Sequence, residues 1–209
     1  MYNKLLISAG GGIISRDQQA EQNECAVIAL GLGGTGVSAL RSLKKEVYDR
    51  LKPDKADSTV PSYSHIKFLA IDTVESSLAD DGSIDSLDKN TEFMDISCAD
   101  ITGLLAGAAT LRSKASLQWL KASATQPDGR GIKILNATAG AGGVRQIGRL
   151  LLFQNCSQFI QKLTNLITSA RQDLPASAEL SIHIFTGTGG GTGAGVFLDV
   201  CYLVQYVLG

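Results

Sequence analysis

A run of glycines around residue 190 is the feature of the sequence whose composition points most directly to chemistry. The segment IFTGTGGGTGAGVFLDV, residues 184–200, places six glycines within nine positions, between a β-branched run and an apolar helical pattern. Glycine permits a positive φ and has no Cβ to hold the backbone away from a ligand. Successive backbone N–H groups in such a loop can surround an anion. The segment therefore predicts a phosphate-binding loop.

The order of strand, glycine loop and helix occurs three times along the chain. Apolar strands that lead into glycine loops are predicted at residues 25–30, 132–137 and 180–186. A fourth strand, IKFLAIDT at 66–73, ends in Asp72 and Thr73 instead of glycine. The helices that follow are predicted from their apolar spacing, with the longest running from Gln146 to Arg171.

This alternation predicts an α/β fold, a three-layer Rossmann-like parallel sheet with helices on both faces. Parallel strands send all their carboxyl ends to one edge, so the glycine loops at 31–36, 138–143 and 187–195 are expected to meet in one crevice. Each loop also precedes a helix, whose N-terminus carries partial positive charge and unpaired amides. Three such ends around one crevice indicate a polyphosphate ligand.

The remaining segments are expected to connect or extend this core. Residues 52–64 read as a surface loop, residues 75–95 as a polar connection, and residues 104–120 as a further helix. Residues 1–24 are interpreted as an N-terminal extension, and residues 25–209 as one domain. The chain of 209 residues is long enough for one substantial core.

Composition limits the classes of partner. Nineteen basic and twenty acidic residues give a net charge of −1, which offers no basic field for nucleic acid. No apolar run approaches the roughly 20 residues of a membrane span. Four widely spaced cysteines form no CxxC pair and indicate a reducing, cytoplasmic setting. The sequence thus predicts a cytoplasmic protein without a membrane span and without nucleic acid as a partner.

The first glycine loop taken alone leaves the ligand open. Residues 31–36, GLGGTG, satisfy the dinucleotide fingerprint, and Asp72 is a possible ribose acceptor, so an NAD(P)-binding protein is one alternative. Asp72 lies much further along the chain than that fingerprint expects. A P-loop is disfavoured because Val37 stands where its lysine is required.

Together with these loops, the run Gly189–Gly195, GGGTGAG, resembles the signature of the tubulin and FtsZ superfamily of GTPases. The family pattern has serine or threonine where Ala194 stands, and FtsZ has asparagine where Ser38 stands. The resemblance extends to residues 31–36, to AIDT at 70–73 and to the loop at 140–143. Such divergence points to the bacterial tubulin-like proteins outside FtsZ itself.

The resemblance implies binding of GTP or GDP with Mg²⁺, and self-assembly into filaments or other homo-oligomers. The residues it implies at the nucleotide are Gly33, Gly34, Thr35, Gly36, Ser38, Asp72, Thr73, Gly140, Ala141, Gly142, Gly143, Gly189, Gly190, Gly191, Thr192 and Gly193. The family's catalytic acidic residues lie on a loop beyond the segment matched here. We therefore expect the chain to be the N-terminal half of a longer protein, which binds nucleotide but hydrolyses it poorly. A non-hydrolysing assembly module is the second alternative.

The sequence also suggests a test at Gly191 and two alternative roles for Arg149. Gly191→Val is expected to block the phosphates while leaving the α/β fold intact. Arg149 is either a ligand for a γ-phosphate or a solvated surface charge.

Overall fold

The fold is built on four parallel strands, which the computed structural model arranges in the order β3-β2-β1-β4. The residues that the structure describes are 25–50, 64–78, 83, 85–111, 117–120 and 140–209. The strands are β1 (Cys25–Leu32), β2 (Ile66–Asp72), β3 (Phe93–Asp95) and β4 (Glu179–Thr186). The helices are α1 (Gly33–Arg50), α2 (Ile101–Leu111), α3 (Arg145–Gln154), α4 (Cys156–Arg171) and α5 (Thr192–Leu208), and a short 3-10 helix covers Glu75–Leu78.

Helices cover both faces of the sheet. On one face, Val37 and Leu40 of α1 pack with Ala29 of β1 in one apolar cluster. On the other face, the buried side chains of α3, α4 and α5 pack against Ile28 and Leu30 of the same strand. Strand β1 can be buried on both faces of the sheet because its sequence, CAVIALGL, has almost no polar residue. The predicted three-layer α/β fold with a parallel sheet is confirmed.

The first glycine segment is a direct junction between strand and helix instead of the predicted loop at 31–36. β1 continues through Gly31 to Leu32, and α1 begins at Gly33. Gly33 has a φ of 64°, and a Cβ on it would lie 2.6 Å from the backbone nitrogen of Gly193. Glycine at this position therefore lets the chain turn in one residue and lets the two segments touch.

Three further details differ from the sequence-based expectations. β3 lies inside the segment at 75–95 that was predicted to be a connection. The single helix predicted at 146–171 is two helices, α3 and α4, separated at Asn155. Of the helix predicted at 104–120, α2 accounts for the part up to Leu111, and residues 117–120 form a turn.

The break at Asn155 has a local cause. Its side-chain amide donates a hydrogen bond to the carbonyl oxygen of Leu151 at 2.8 Å, and its backbone N–H donates to the carbonyls of Leu151 and Leu152. An asparagine side chain that bonds its own backbone competes with helix continuation.

Several predictions lie outside the described residues. These are the extension at 1–24, the strand at 132–137 and nearly all of the surface loop at 52–64. Within the described part of the chain, no helix combines the length and the apolar character needed to cross a membrane.

Candidate functional site

A cavity of about 410 Å³ lies at the carboxyl edge of the sheet, where the glycine segments meet. Its walls come from the β1–α1 junction, the end of β2, the segment before α3 and the segment before α5. The lining residues are Leu32, Gly33, Gly34, Thr35, Asp72, Val74, Gly140, Ala141, Gly142, Gly143, Gly187, Gly190, Gly191, Thr192 and Gly193. Segments more than a hundred residues apart in sequence therefore share one cavity, as parallel strand topology requires.

Twelve of the sixteen residues predicted at the nucleotide line this cavity. The other four, Gly36, Ser38, Thr73 and Gly189, do not. Ser38 Oγ donates to the carbonyl oxygen of Gly34 at 2.9 Å, one turn back along α1. Thr73 is buried, and its Oγ1 makes no hydrogen bond among the described residues.

Sequence reasoning did not select three residues of the lining, namely Leu32, Val74 and Gly187. Gly187 could have been found, because it belongs to the same glycine run as Gly190. A Cβ on Gly187 would lie 2.7 Å from Thr35 Oγ1, so it allows the β1–α1 junction to approach the last glycine segment. Leu32 and Val74 follow no motif and are brought to the cavity by their places at the ends of β1 and β2.

Helix N-termini border the cavity on three sides. α1 begins at Gly33, α3 at Arg145 just after the lining residue Gly143, and α5 at Thr192. No side chain caps α3 at Val144 or α5 at Gly191. First-turn amides of these helices carry partial positive charge, and without a side-chain cap they can donate to an anion. The site is therefore electrostatically suited to negative charge.

Four glycines of the site divide into two classes by what a side chain would meet. A Cβ on Gly191 would lie 2.8 Å from the backbone nitrogen of Val144, and one on Gly193 would lie 2.5 Å from the carbonyl oxygen of Leu32. Close packing of the protein itself explains these two. A Cβ on Gly190 would meet nothing within 4 Å, and one on Gly34 would only approach Asp72 Oδ2 at 4.0 Å. Packing therefore does not explain glycine at these two cavity-lining positions.

This division corrects the expectation for Gly191→Val. A valine there would collide with the backbone of Gly143 and Val144, so it would disturb the protein as well as any ligand. Gly190 lines the cavity, and a Cβ there would meet nothing within 4 Å.

Residues 28–209 match the family model described as tubulin like. The chain belongs to the tubulin-like family. No curated protein was found to match the chain. The match covers the cavity and every described strand and helix except the first three residues of β1. It therefore confirms the resemblance to tubulin-like proteins that the glycine segments indicated.

Asp72 is the acidic group of the cavity in the tubulin-like domain. It ends β2, is 3% exposed, and accepts a hydrogen bond on Oδ1 from the N–H of Thr73 at 2.8 Å. Burial raises the pKa of this carboxyl group, the hydrogen bond from Thr73 opposes that rise, and the nearby charge of Asp95 adds to it. The carboxylate is therefore held in a place where its negative charge is costly unless a cation or hydrogen-bond donor joins it.

The arginines of α3 lie beside the cavity of the tubulin-like domain without lining it. Arg149 donates two hydrogen bonds to Asp199, from Nε to Oδ2 at 2.7 Å and from a terminal nitrogen to Oδ1 at 2.9 Å. Arg145 donates to the carbonyl oxygen of Thr188 at 2.9 Å. Asp199 of α5 is thus the ion-pair partner of Arg149.

No group of three or more His, Cys, Asp and Glu side chains close enough for a metal ion occurs in the described segments. A magnesium ion does not require such a group, because it commonly uses one or two carboxylates with phosphate oxygens and water. Asp72 can supply the carboxylate of that arrangement.

Proposed function

We propose that the tubulin-like domain binds a guanine nucleotide, GTP or GDP, with its phosphates in the cavity between α1, α3 and α5. The observation that carries this proposal is the open position beside Gly190 and Gly34, where the absence of a side chain serves no packing purpose. α5 begins at Thr192, next to these glycines, without a side-chain cap, so its first-turn N–H groups are available to an anion. Bare backbone and helix ends are the usual way in which proteins hold phosphate.

Cavity size and charge agree with a nucleotide. A volume of about 410 Å³ falls within the roughly 300–1,000 Å³ of small-molecule sites. The described lining contains no lysine or arginine, so backbone amides and a cation would have to balance the phosphate charge. We assign that cation to Mg²⁺, held by Asp72 directly or through water together with phosphate oxygens.

Membership in the tubulin-like family favours guanine nucleotide over NAD(P). It also supports the proposal that the protein assembles with further copies of itself, in a filament whose neighbouring subunit contributes to hydrolysis. An assembly module that binds the nucleotide without hydrolysing it keeps the same site and differs only in turnover.

Calorimetric titration with GDP, GTP, ADP and NAD⁺ tests the ligand, and a pair of glycine variants tests the site. We expect the wild-type chain to bind GDP and GTP with Mg²⁺, and to bind ADP and NAD⁺ much more weakly. Gly190→Val places a branched side chain in the cavity and is expected to abolish binding while the circular dichroism stays that of the wild type. Gly189→Val is the matched control, because its Cβ also meets nothing within 4 Å and Gly189 does not line the cavity.

Unchanged GDP affinity in a folded Gly190→Val variant would exclude this cavity. Tighter binding of NAD⁺ than of GDP would replace the guanine nucleotide by a dinucleotide.

A further inference from the structure

The first turns of α3 and α5 cross at glycines, so that their backbones touch. A Cβ on Gly148 would lie 2.3 Å from the carbonyl oxygen of Gly191, and one on Gly195 would lie 2.4 Å from the carbonyl oxygen of Arg145. The crossing lies directly behind the cavity, because Gly191 itself lines it. A small rotation of one helix on the other would therefore move the phosphate-binding backbone.

An ion pair joins the two helices next to this crossing. Arg149 follows Gly148 on α3, and Asp199 lies one turn beyond Gly195 on α5. Their two parallel hydrogen bonds, at 2.7 and 2.9 Å, form a fork that sets the angle between the helices as well as their distance.

Trp119 holds the same arginine from a third segment. Its ring lies 4.3 Å from the guanidinium carbon of Arg149, within the range of a cation–π contact. The guanidinium group of Arg149 is therefore held by two partners, the carboxylate of Asp199 and the ring of Trp119. Side-chain exposures of 40% for Arg149 and 28% for Asp199 make this a half-buried pair, for which a modest stabilisation is expected.

We infer that Arg149 and Asp199, braced by Trp119, are positioning residues that hold the two phosphate-binding backbone segments at the spacing a nucleotide needs. The inference rests on the proposed function. It assigns Arg149 no contact with the nucleotide, because the fork and the stack already occupy its guanidinium. The rival role is direct binding of a phosphate by Arg149.

Asp199→Asn separates the two roles. If the pair positions the backbone, the loss of the carboxylate charge weakens GDP binding by about three- to tenfold. If Arg149 binds phosphate, the same change releases the guanidinium, so affinity for a non-hydrolysable GTP analogue stays equal or rises. Arg149→Lys keeps the charge but loses the fork, and positioning predicts a loss of the same size.

A charge-swapped double variant distinguishes loss of the ion pair from general destabilisation, because only the former is reversed by restoring a pair. The double variant Arg149→Asp with Asp199→Arg restores an ion pair across the crossing and is expected to recover most of the GDP affinity. Arg50→Lys is the matched control, since Arg50 pairs with Glu46 at the far end of α1, about 25 Å along the helix from the cavity. Its affinity should equal that of the wild type.

Titrations of these folded variants with GDP and with a non-hydrolysable GTP analogue, both in the presence of Mg²⁺, test the two roles. Absence of GDP binding by the wild type would refute the proposed function and this inference with it. Wild-type binding that Asp199→Asn leaves unchanged or strengthens, or an unrescued double variant, would overturn the positioning role alone. Should Asp199→Asn fail to fold, Trp119→Phe keeps the pair but weakens the stack and should lower the affinity in the same direction.

Discussion

Gly190 and Gly191 are neighbours in the sequence, yet different forces require glycine at the two positions. Gly191 has the helical angles φ −78° and ψ −46°, which any residue adopts, so its backbone does not demand glycine. The nearby nitrogens of Gly143 and Val144 do, because they lie 2.9 and 2.8 Å from the place of a Cβ. Gly190 has no such neighbour. Packing therefore requires glycine at position 191 but not at position 190, where the proposed nucleotide site supplies the reason for it.

Gly191→Ala is accordingly expected to destabilise the protein even without ligand. Backbone contacts as short as these cannot relax cheaply, and we expect a loss of about 1–3 kcal/mol in the free energy of unfolding. Urea denaturation measures it. Gly107→Ala in α2 is the control, since its Cβ would meet nothing within 4 Å and alanine should stabilise a helix there by about 0.5–1 kcal/mol. Equal stability of Gly191→Ala and wild type would contradict the packing role.

Asp72 makes the stability of the protein depend on pH. Its pKa is raised above the ordinary 3.8, mainly by burial, so the folded state binds this proton more tightly than the unfolded state does. The contribution of Asp72 to the free energy of unfolding therefore falls as the pH rises from about 3.8 to the raised pKa, and is constant at higher pH.

Asp72→Asn should remove that dependence. The ligand-free variant is expected to be more stable than the wild type at pH 7, and the difference should shrink as the pH falls through the same window. Its nucleotide affinity should become insensitive to Mg²⁺, while the wild type binds more weakly after treatment with EDTA. Denaturation across pH, with titrations in Mg²⁺ and in EDTA, measures both. A variant that is less stable at pH 7, or that still responds to Mg²⁺, would contradict this account of Asp72.

At the scale of elements, the segment Gly140–Gly143 has the backbone geometry of a loop that a ligand could order. Gly140, Gly142 and Gly143 have φ values of 108°, 56° and 75°, and the segment leads into α3 without a side-chain cap. A triphosphate offers more acceptor oxygens to these amides than a diphosphate does. We expect amide exchange in this loop to slow more with a non-hydrolysable GTP analogue than with GDP.

Hydrogen-exchange mass spectrometry tests this expectation, with peptides from the remote end of α4 as an internal reference. Equal protection of the loop by both nucleotides would count against any sensing of the γ-phosphate.

Elements with a strong apolar period could be predicted from the sequence, and those defined by long-range pairing could not. The sequence predicts β1 and β4 to within two residues, because each is a stretch rich in apolar and β-branched residues that leads into glycine. β3 has only three residues, and its place follows from pairing with Ala70 and Ile71 of β2. The break at Asn155 was missed because the apolar spacing continues across it from Leu150 to Phe159.

The site, too, was predictable only in part. That the glycine segments meet at one edge of the sheet follows from parallel topology, which the alternation of strands and helices predicts. The separate purposes of Gly190 and Gly191 depend on distances to residues far away in sequence. The same holds for the capture of Arg149 by Asp199 and Trp119, because no periodic pattern brings α3, α5 and residue 119 together.

At the scale of the whole molecule, the described cavity offers uncapped helix starts and one carboxylate, which suit the proposed nucleotide binding better than hydrolysis. Asp72 is the single titratable side chain in its described lining. It is buried, and the proposed site assigns it to the cation, so the described lining holds no second carboxylate to position an attacking water. Phosphoryl transfer depends on a positioned water and on stabilised charge.

We therefore predict that the 209-residue chain binds GTP but hydrolyses it slowly, at rates that do not depend on protein concentration. A missing positioning group can cost several orders of magnitude in rate, so phosphate release should stay near the uncatalysed background. The measurement follows phosphate release over a hundredfold range of protein concentration, at saturating GTP and Mg²⁺. Gly190→Val is the control, because it should bind no nucleotide and shows the contribution of any contaminating phosphatase. Specific activity that climbs with concentration in the wild type alone would contradict the prediction, since copies of this chain would then complete one another's active sites.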